Sequence, residues 1–346
     1  MQSAEAMEML TAAAASPPLL AVRNLSKDYR VKRGGSPQRT VRAVDGLSFD
    51  VRAGETVSIV GESGCGKSTT LRLILALLDP SAGEVWFDGQ RVGSAALPLK
   101  QYRRQVQMVF QDSYASLNPR LSAEEAIAFP SQVHGASRKA ATARARELLD
   151  AVGLSPAQHG RRYPHQLSGG QRQRINIARA LALQPRLMIL DEPLSALDKS
   201  VEAQILNLLA DLKAQFKLTY LLVSHDLGVV HYVSDRVIVM YLGRSVESGP
   251  VETVYAAPAH PYTAALLASR PSLDPDRRRT EPPLTGDPPS PLDPPSGCYF
   301  RTRCALAQEV CATRRPVLDV VAADHHAACL AITPGSGHTL APPPHA

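Results

Sequence analysis

The run Gly61-Glu62-Ser63-Gly64-Cys65-Gly66-Lys67-Ser68 has the spacing G-x-x-x-x-G-K-[ST], a pattern suited to gripping phosphate. Small residues at Gly61, Gly64 and Gly66 let the backbone N–H groups of Ser63, Cys65 and their neighbours close around a phosphate, and a helix starting there adds positive potential. Lys67 is expected to reach the β- and γ-phosphates of a nucleotide, and Ser68, with Thr69 beside it, to meet Mg²⁺. A Gly-rich turn can match this spacing without binding anything. Here it follows the apolar, β-branched run Thr56 to Val60 and precedes a helical stretch, which is the setting the mechanism needs.

A second element supplies acids. Leu187-Met188-Ile189-Leu190 reads as a buried strand ending in Asp191 and Glu192. Asp191 is placed to hold Mg²⁺. Glu192, one residue on, is expected on the other side of the strand axis, where it suits a general base acting on water. Solvated acids at a strand end are the bland alternative, and it weakens beside a phosphate loop.

Further residues carry a family resemblance. Leu167-Ser168-Gly169-Gly170-Gln171 is identical to the signature motif of ABC transporter ATPases, and it lies shortly before the Asp191-Glu192 strand as in that family. Gln111 resembles the Q-loop glutamine, a further Mg²⁺ contact. Ser195-Ala196-Leu197-Asp198 resembles the D-loop, and His225 the switch histidine. Tyr29 is similar to the aromatic on which adenine stacks, although a lone Tyr is more often a strand-face residue. The resemblance covers about residues 19 to 265. It implies an α/β fold: an ABC-type P-loop ATPase core with a β subdomain and a helical subdomain, plus a small Cys-containing C-terminal domain. It also implies ATP and Mg²⁺ as ligands. Ser168, Gly169 and Gly170 precede a helix, so their N–H groups form a second anion site. One chain has no need of two cradles for one nucleotide, whereas a head-to-tail dimer does.

The stretch Val109 to Arg120 and the sequence His260-Pro261-Tyr262-Thr263 are similar to the oligopeptide/dipeptide importer ATPases. That narrower resemblance implies a second ABC ATPase subunit of a different chain, two transmembrane permease subunits, and an extracytoplasmic peptide-binding protein reached indirectly. Related importers handle nickel complexes or glutathione. A soluble ABC ATPase of DNA repair or translation would carry a long coiled-coil insertion or two cassettes, and neither is visible. A regulatory module with a dead site is opposed by the intact Lys67, Ser68, Asp191, Glu192 and His225.

Cys298, Cys304, Cys311 and Cys329 have the spacing C-x5-C-x6-C-x17-C. Such a set suits an iron–sulfur cluster or Zn²⁺, and four reduced thiols in a packed subdomain remain a third reading. Zinc ligands usually pair more closely, so a [4Fe–4S] cluster is preferred, as the resemblance also implies. Cys65 lies near Lys67 and a helix N-terminus, which can lower a thiol pKa, so nucleotide is expected to protect it from alkylation.

The elements that must position these residues alternate. Strands are expected within Leu19 to Asp50 and at 56–60, 84–87, 106–110, 187–190, 220–223 and near 237–246, with helices over 67–78, 123–154, 171–183 and from 201 onward. That alternation argues for a largely parallel sheet covered on both faces. Expected units are a disordered leader at 1–18, the ATPase domain at 19–265 (helical subdomain about 112–170), a Pro-rich linker at 266–297, the Cys-bearing domain at 298–334 and a disordered tail at 335–346. A net charge of +6 is scattered, its one short basic run, Arg277 to Arg279, lies in the Pro-rich stretch, and aromatics are only 5%, so no nucleic acid partner is expected. No apolar run approaches the roughly 18 residues of a membrane span, and Glu5 and Glu8 argue against a secretory leader. A place on the cytoplasmic face of the membrane, through partners, is the resulting expectation.

Overall fold

A computed structural model describes residues 17–31, 39–195, 197–270, 284 and 286–343. The leader up to residue 16, the loop at Gly34 to Pro37, Ala196, the basic run Arg277 to Arg279 with most of the Pro-rich stretch, and the last three residues lie outside that set. Strands β1 (Leu20–Val31), β2 (Arg39–Val51), β4 (Ala82–Phe87) and β5 (Gln90–Arg91) form an antiparallel sheet in the order β2-β1-β4-β5. A second sheet has the order β11-β12-β10-β9-β3-β8-β7-β6. Its centre is parallel: β3 (Thr56–Val60) lies between β8 (Thr219–Val223) and β9 (Arg236–Tyr241), and β7 (Leu187–Asp191) between β8 and β6 (Val106–Val109). Both faces of β3 and β8 are covered, which is why each reads as an unbroken buried run. The rest of the sheet, β10 (Arg244–Pro250), β11 (Asp319–Ala322) and β12 (His325–Ala327), is antiparallel.

Helices α1 (Lys67–Ile74) and α2 (Leu99–Gln105) belong to the first half of the core. Then come α3 (Ala123–Val133), α4 (Arg138–Ala151), α5 (Pro156–His159) and α6 (Gly169–Leu181), the helical region expected from sequence. The single helix expected over 123–154 is two. Gly135 turns left-handed (φ 94°) and Ser137 caps α4 by accepting from the Ala140 N–H at 3.2 Å. The helix expected to run to Leu78 stops at Ile74, because Ala76 turns left-handed (φ 51°) and the Leu77 N–H returns to the Arg72 carbonyl at 2.9 Å. No glycine marks that stop. Beyond β7 lie α7 (Lys199–Phe216), α8 (Leu227–Val233), α9 (Val251–Ala256), α10 (Pro261–Ala268) and α11 (Glu309–Thr313).

One apolar cluster fills the space between the two sheets around α1, and another joins α3, α4, α6 and α7 to β7 and β8. A third packs Tyr241, Tyr262 and Phe300 together with Cys298 and Cys304. The Cys-bearing segment is therefore no detached appendage: β12 extends the main sheet by pairing with β10. The expectation of a disordered tail from residue 335 is corrected over 335–343. His338 is buried with Nε2 2.9 Å from the Leu306 carbonyl, and Gln308 receives the Thr339 N–H at 3.0 Å. Partners about 30 residues earlier in the chain hold it, and composition does not reveal them. Among the described residues no helix is long and apolar enough to cross a membrane.

The seam between core and extension centres on Glu247, which is fully buried. Its carboxylate accepts from the Ala259 N–H at 2.7 Å and the His260 N–H at 2.9 Å, and lies 2.7 Å from His325 Nε2. Glu247→Ala leaves buried donors unmet and is expected to destabilise the fold by about 3 kcal/mol, read as a lowered urea midpoint.

Candidate active site

The phosphate loop is shaped by backbone crowding. Gly61 and Gly66 have φ of 151° and 109°, and a Cβ at either would collide with a carbonyl, that of Met240 or of Ala43. Both positions therefore demand glycine. Lys67, at the first turn of α1, directs Nζ to the carbonyls of Gly61 at 2.7 Å and Glu62 at 3.0 Å. A cleft of about 410 Å³ opens above it. Ser63, Gly64, Gly66, Lys67, Ser68 and Thr69 line one wall, and Gln111, Glu192 and His225 the other.

That second wall is built by three neighbouring parallel strands. Gln111 comes after β6, Glu192 after β7 and His225 after β8. Glu192 Oε2 accepts from Gln111 Nε2 at 3.0 Å and lies 3.2 Å from His225 Nδ1. The expected geometry of Glu192 is corrected. It is not aimed by strand alternation, since the strand has ended. The residue turns left-handed (φ 44°), and its N–H donates to the Val223 carbonyl at 2.9 Å. A strained conformation at a non-glycine residue is typical of sites where aim matters. Asp191, at the end of β7, has its carboxyl pushed above the usual range by burial and by Glu192, with Arg72 and Lys67 opposing. A bound cation would favour the ionised form.

Other expected residues sit apart from this cleft. Ser168, Gly169, Gly170 and Gln171 start α6, where Ser168 and Gln171 form a reciprocal cap with distances of 3.3 and 3.1 Å. None of the four lines the cleft. Asp198 caps α7 through the Val201 N–H at 2.9 Å, and that bond holds its carboxyl below the usual range. Tyr29 is partly exposed on β1, with Lys27 Nζ 5.6 Å from its ring centre. Sequence reasoning missed Ala43, which borders the cleft, and the ion pairs of Lys199 with Glu202 and Asp226 at 3.0 and 2.9 Å. Asp226 carries a readable signal, an Asp directly before a helix, which it caps.

Comparison with known proteins gives two family matches. Residues 44–195 match the family described as ABC transporter, and residues 246–311 match the oligopeptide/dipeptide transporter C-terminal region. A Pseudomonas aeruginosa di/tripeptide transport ATP-binding protein, DppF, is 46% identical over 318 residues, covering 89% of this chain and 98% of its own. A Brucella ovis protein named for peptide import and ATP binding is 49% identical over 315 residues, covering 90% and 98%. The chain belongs to the oligopeptide/dipeptide family of ABC transporter ATP-binding subunits. Among solved structures, cbiO1 from Clostridium perfringens, part of an ABC transporter complex, aligns with TM-score 0.61 and 28% identity over 69% of this chain and 91% of that one. A dimeric ATP-binding cassette in a post-hydrolysis state with ADP and Pi aligns with TM-score 0.58 and 32% identity over 67% and 98%. As an ABC subunit the chain is an ATPase.

Cys298, Cys304, Cys311 and Cys329 all border one small cavity of about 20 Å³, closed by Phe300, Leu306 and Leu330. Burial pushes the thiols of Cys298 and Cys304 up and that of Cys329 to about 11. Among the described residues no three such donors form a group that could hold a metal ion.

Cys65 departs from expectation. Its side chain is buried in the core between the sheets, and burial raises its thiol pKa in spite of Lys67. Its modification by maleimide at pH 7 is therefore expected to be slow, differing less than about twofold with and without ATP, and to rise at least about tenfold in urea. Peptide mass spectrometry after timed labelling checks this.

Proposed function

We propose that this chain hydrolyses ATP between two cassettes to drive peptide import through a membrane transporter, with Lys67 and Glu192 at the centre of the reaction. One observation carries the reading. Lys67, Ser68, Gln111, Glu192 and His225 share one cleft, while the cradle at Ser168 to Gln171 does not reach it. In this reading the backbone from Gly61 to Thr69 holds the phosphates, and Ser68, Gln111 and Asp191 hold Mg²⁺. When bound, Mg²⁺ neutralises charge on the β- and γ-phosphates. Glu192 orients and polarises the attacking water, and its contacts to Gln111 and His225 fix the carboxylate. Asp198 borders the partner cassette. Tyr29 stacks on adenine, and Ser168, Gly169, Gly170 and Gln171 cap the nucleotide of the partner.

Cargo and partners are inferred from the relatives, which are named for peptide, dipeptide and oligopeptide transport. The second ATPase subunit is a different chain in a head-to-tail dimer, two permease subunits span the membrane, and a peptide-binding protein delivers cargo. The chain sits peripherally at the cytoplasmic face. Its contact with the permeases falls within 111–154, where Tyr114, Phe129 and Val133 are exposed apolar side chains, as Phe110 just before it is.

Glu192→Gln is expected to lower turnover at least about 100-fold while ATP still binds and a dimer accumulates in size-exclusion chromatography. Turnover within about twofold of wild type would reject Glu192 as the base.

The four cysteines border one cavity, and their wide spacing along the sequence favours a [4Fe–4S] cluster over Zn²⁺. Such a group would tie Cys298, Cys304, Cys311 and Cys329 into one cross-link. Anaerobically purified protein is expected to contain about four iron and four sulfide per chain, lost in Cys329→Ala. Absence of both from wild-type protein removes the cluster.

A further inference from the structure

Glu62, the second residue of the phosphate loop, is held on three sides. Its N–H donates to the Tyr262 hydroxyl at 2.9 Å, and its carbonyl accepts from Lys67 Nζ at 3.0 Å. Its carboxylate takes both arms of the Arg303 guanidinium, Nη1 to Oε2 at 2.7 Å and Nη2 to Oε1 at 3.0 Å. Arg303 comes from 241 residues further along the chain, directly before Cys304, and only 5% of its side chain is exposed. We infer that Arg303 is a positioning residue for the phosphate loop, so that the cysteine-bearing segment sets how tightly the chain holds ATP.

The turn carrying Arg303 is itself rigid. The Arg303 N–H donates to the Phe300 carbonyl at 2.9 Å, and the Cys298 N–H to the Cys311 carbonyl at 2.8 Å. The Phe300 ring packs against Tyr241 and Tyr262 with centres 5.3 and 5.4 Å away. Behind it, β12 is pinned to the main sheet through the Ala328 N–H to the Val246 carbonyl at 2.8 Å. A fork that meets a carboxylate bidentately fixes direction as well as distance. Here that direction is the path of the loop whose Ser63, Gly64 and Gly66 line the cleft.

The inference rests on the reading that this loop binds ATP, and equilibrium binding of ATP to the 346-residue chain, by calorimetry, tests it. Arg303→Gln is expected to raise the Kd at least about tenfold, within the usual range of coupling between linked sites. Glu62→Gln breaks the same fork and is expected to raise the Kd similarly, and the double variant to stay within about twofold of either single one, because the pair acts as a unit. Two independent structural roles predict effects that multiply. Arg303→Gln binding ATP within about twofold of wild type overturns the inference, as does a double variant whose Kd rises by the product of the two single effects. If Arg303→Gln fails to fold, Arg303→Lys decides, because it keeps the charge and loses the fork. A rise of at least about threefold supports the inference, and a smaller one overturns it. Lys67→Ala separates the two levels. Binding that survives Lys67→Ala refutes the loop assignment itself. Binding lost there but unchanged in the Arg303 variants refutes only the role of Arg303.

Discussion

The parallel register of four adjacent strands is the constraint on which the site depends. Strands β3, β8, β7 and β6 all point the same way, so the chain leaves each at one edge of the sheet. The phosphate loop, His225, Glu192 and Gln111 lie just beyond the ends of those four strands, and so they meet at that edge. One hydrogen bond tightens this arrangement: the Glu192 N–H reaches the Val223 carbonyl on the neighbouring strand. It stabilises the left-handed turn that points the carboxylate at Gln111 and His225. Without that bond the strained backbone would relax, at a gain of about 1–3 kcal/mol, and the carboxylate would lose its aim. The apolar runs of β3 and β8 thus underlie the cleft, since slipping either strand by one residue would displace the phosphate loop or His225.

Much of this was legible in the residues because the chemistry needs local patterns. The loop at 61–68 and the acids at 191–192 are contiguous in sequence, and buried parallel strands announce themselves as β-branched runs. The capping pair Ser168 and Gln171 likewise marks the start of α6. The illegible features depended on distant partners. Cys65 reads as activated because Lys67 and a helix start are its sequence neighbours, yet the packing of the two sheets decides its burial. The break after Ile74 uses alanine in a conformation that usually selects glycine. The ordered stretch at 335–343 looks like a tail because Pro and His dominate it, while Leu306 and Gln308 hold it in place.

The extension changes the picture of what counts as the ATP-binding unit. Tyr262 and Arg303 both come after the last parallel strand of the core, and both touch Glu62. The buried carboxylate of Glu247 ties β10 to β12 and to the start of α10 in the same region. Removing these two carboxylates from water, Glu247 wholly and Glu62 in large part, is costly, and only close cationic or N–H partners offset that cost. Such contacts are poor choices for mere adhesion, where apolar packing would serve as well. They are good choices where geometry must be single-valued, and both lie within one layer of the phosphate loop or its supporting strand.

The separation of the two anion cradles carries the last step. A helix start with free N–H groups and a reciprocal cap is already a stable element, as α6 is, so Ser168 to Gln171 gain nothing structurally from facing nucleotide. Their distance from the cleft means that within one chain the phosphates are met from one side only, by Lys67 and the loop. Water reaches the other side, and Glu192 then has nothing that excludes bulk solvent or completes the charge around the γ-phosphate. In the proposed reading a partner cassette supplies both at once, so that closure of the pair and competence for hydrolysis become one event, felt by whatever is attached to the helical region between β6 and α6.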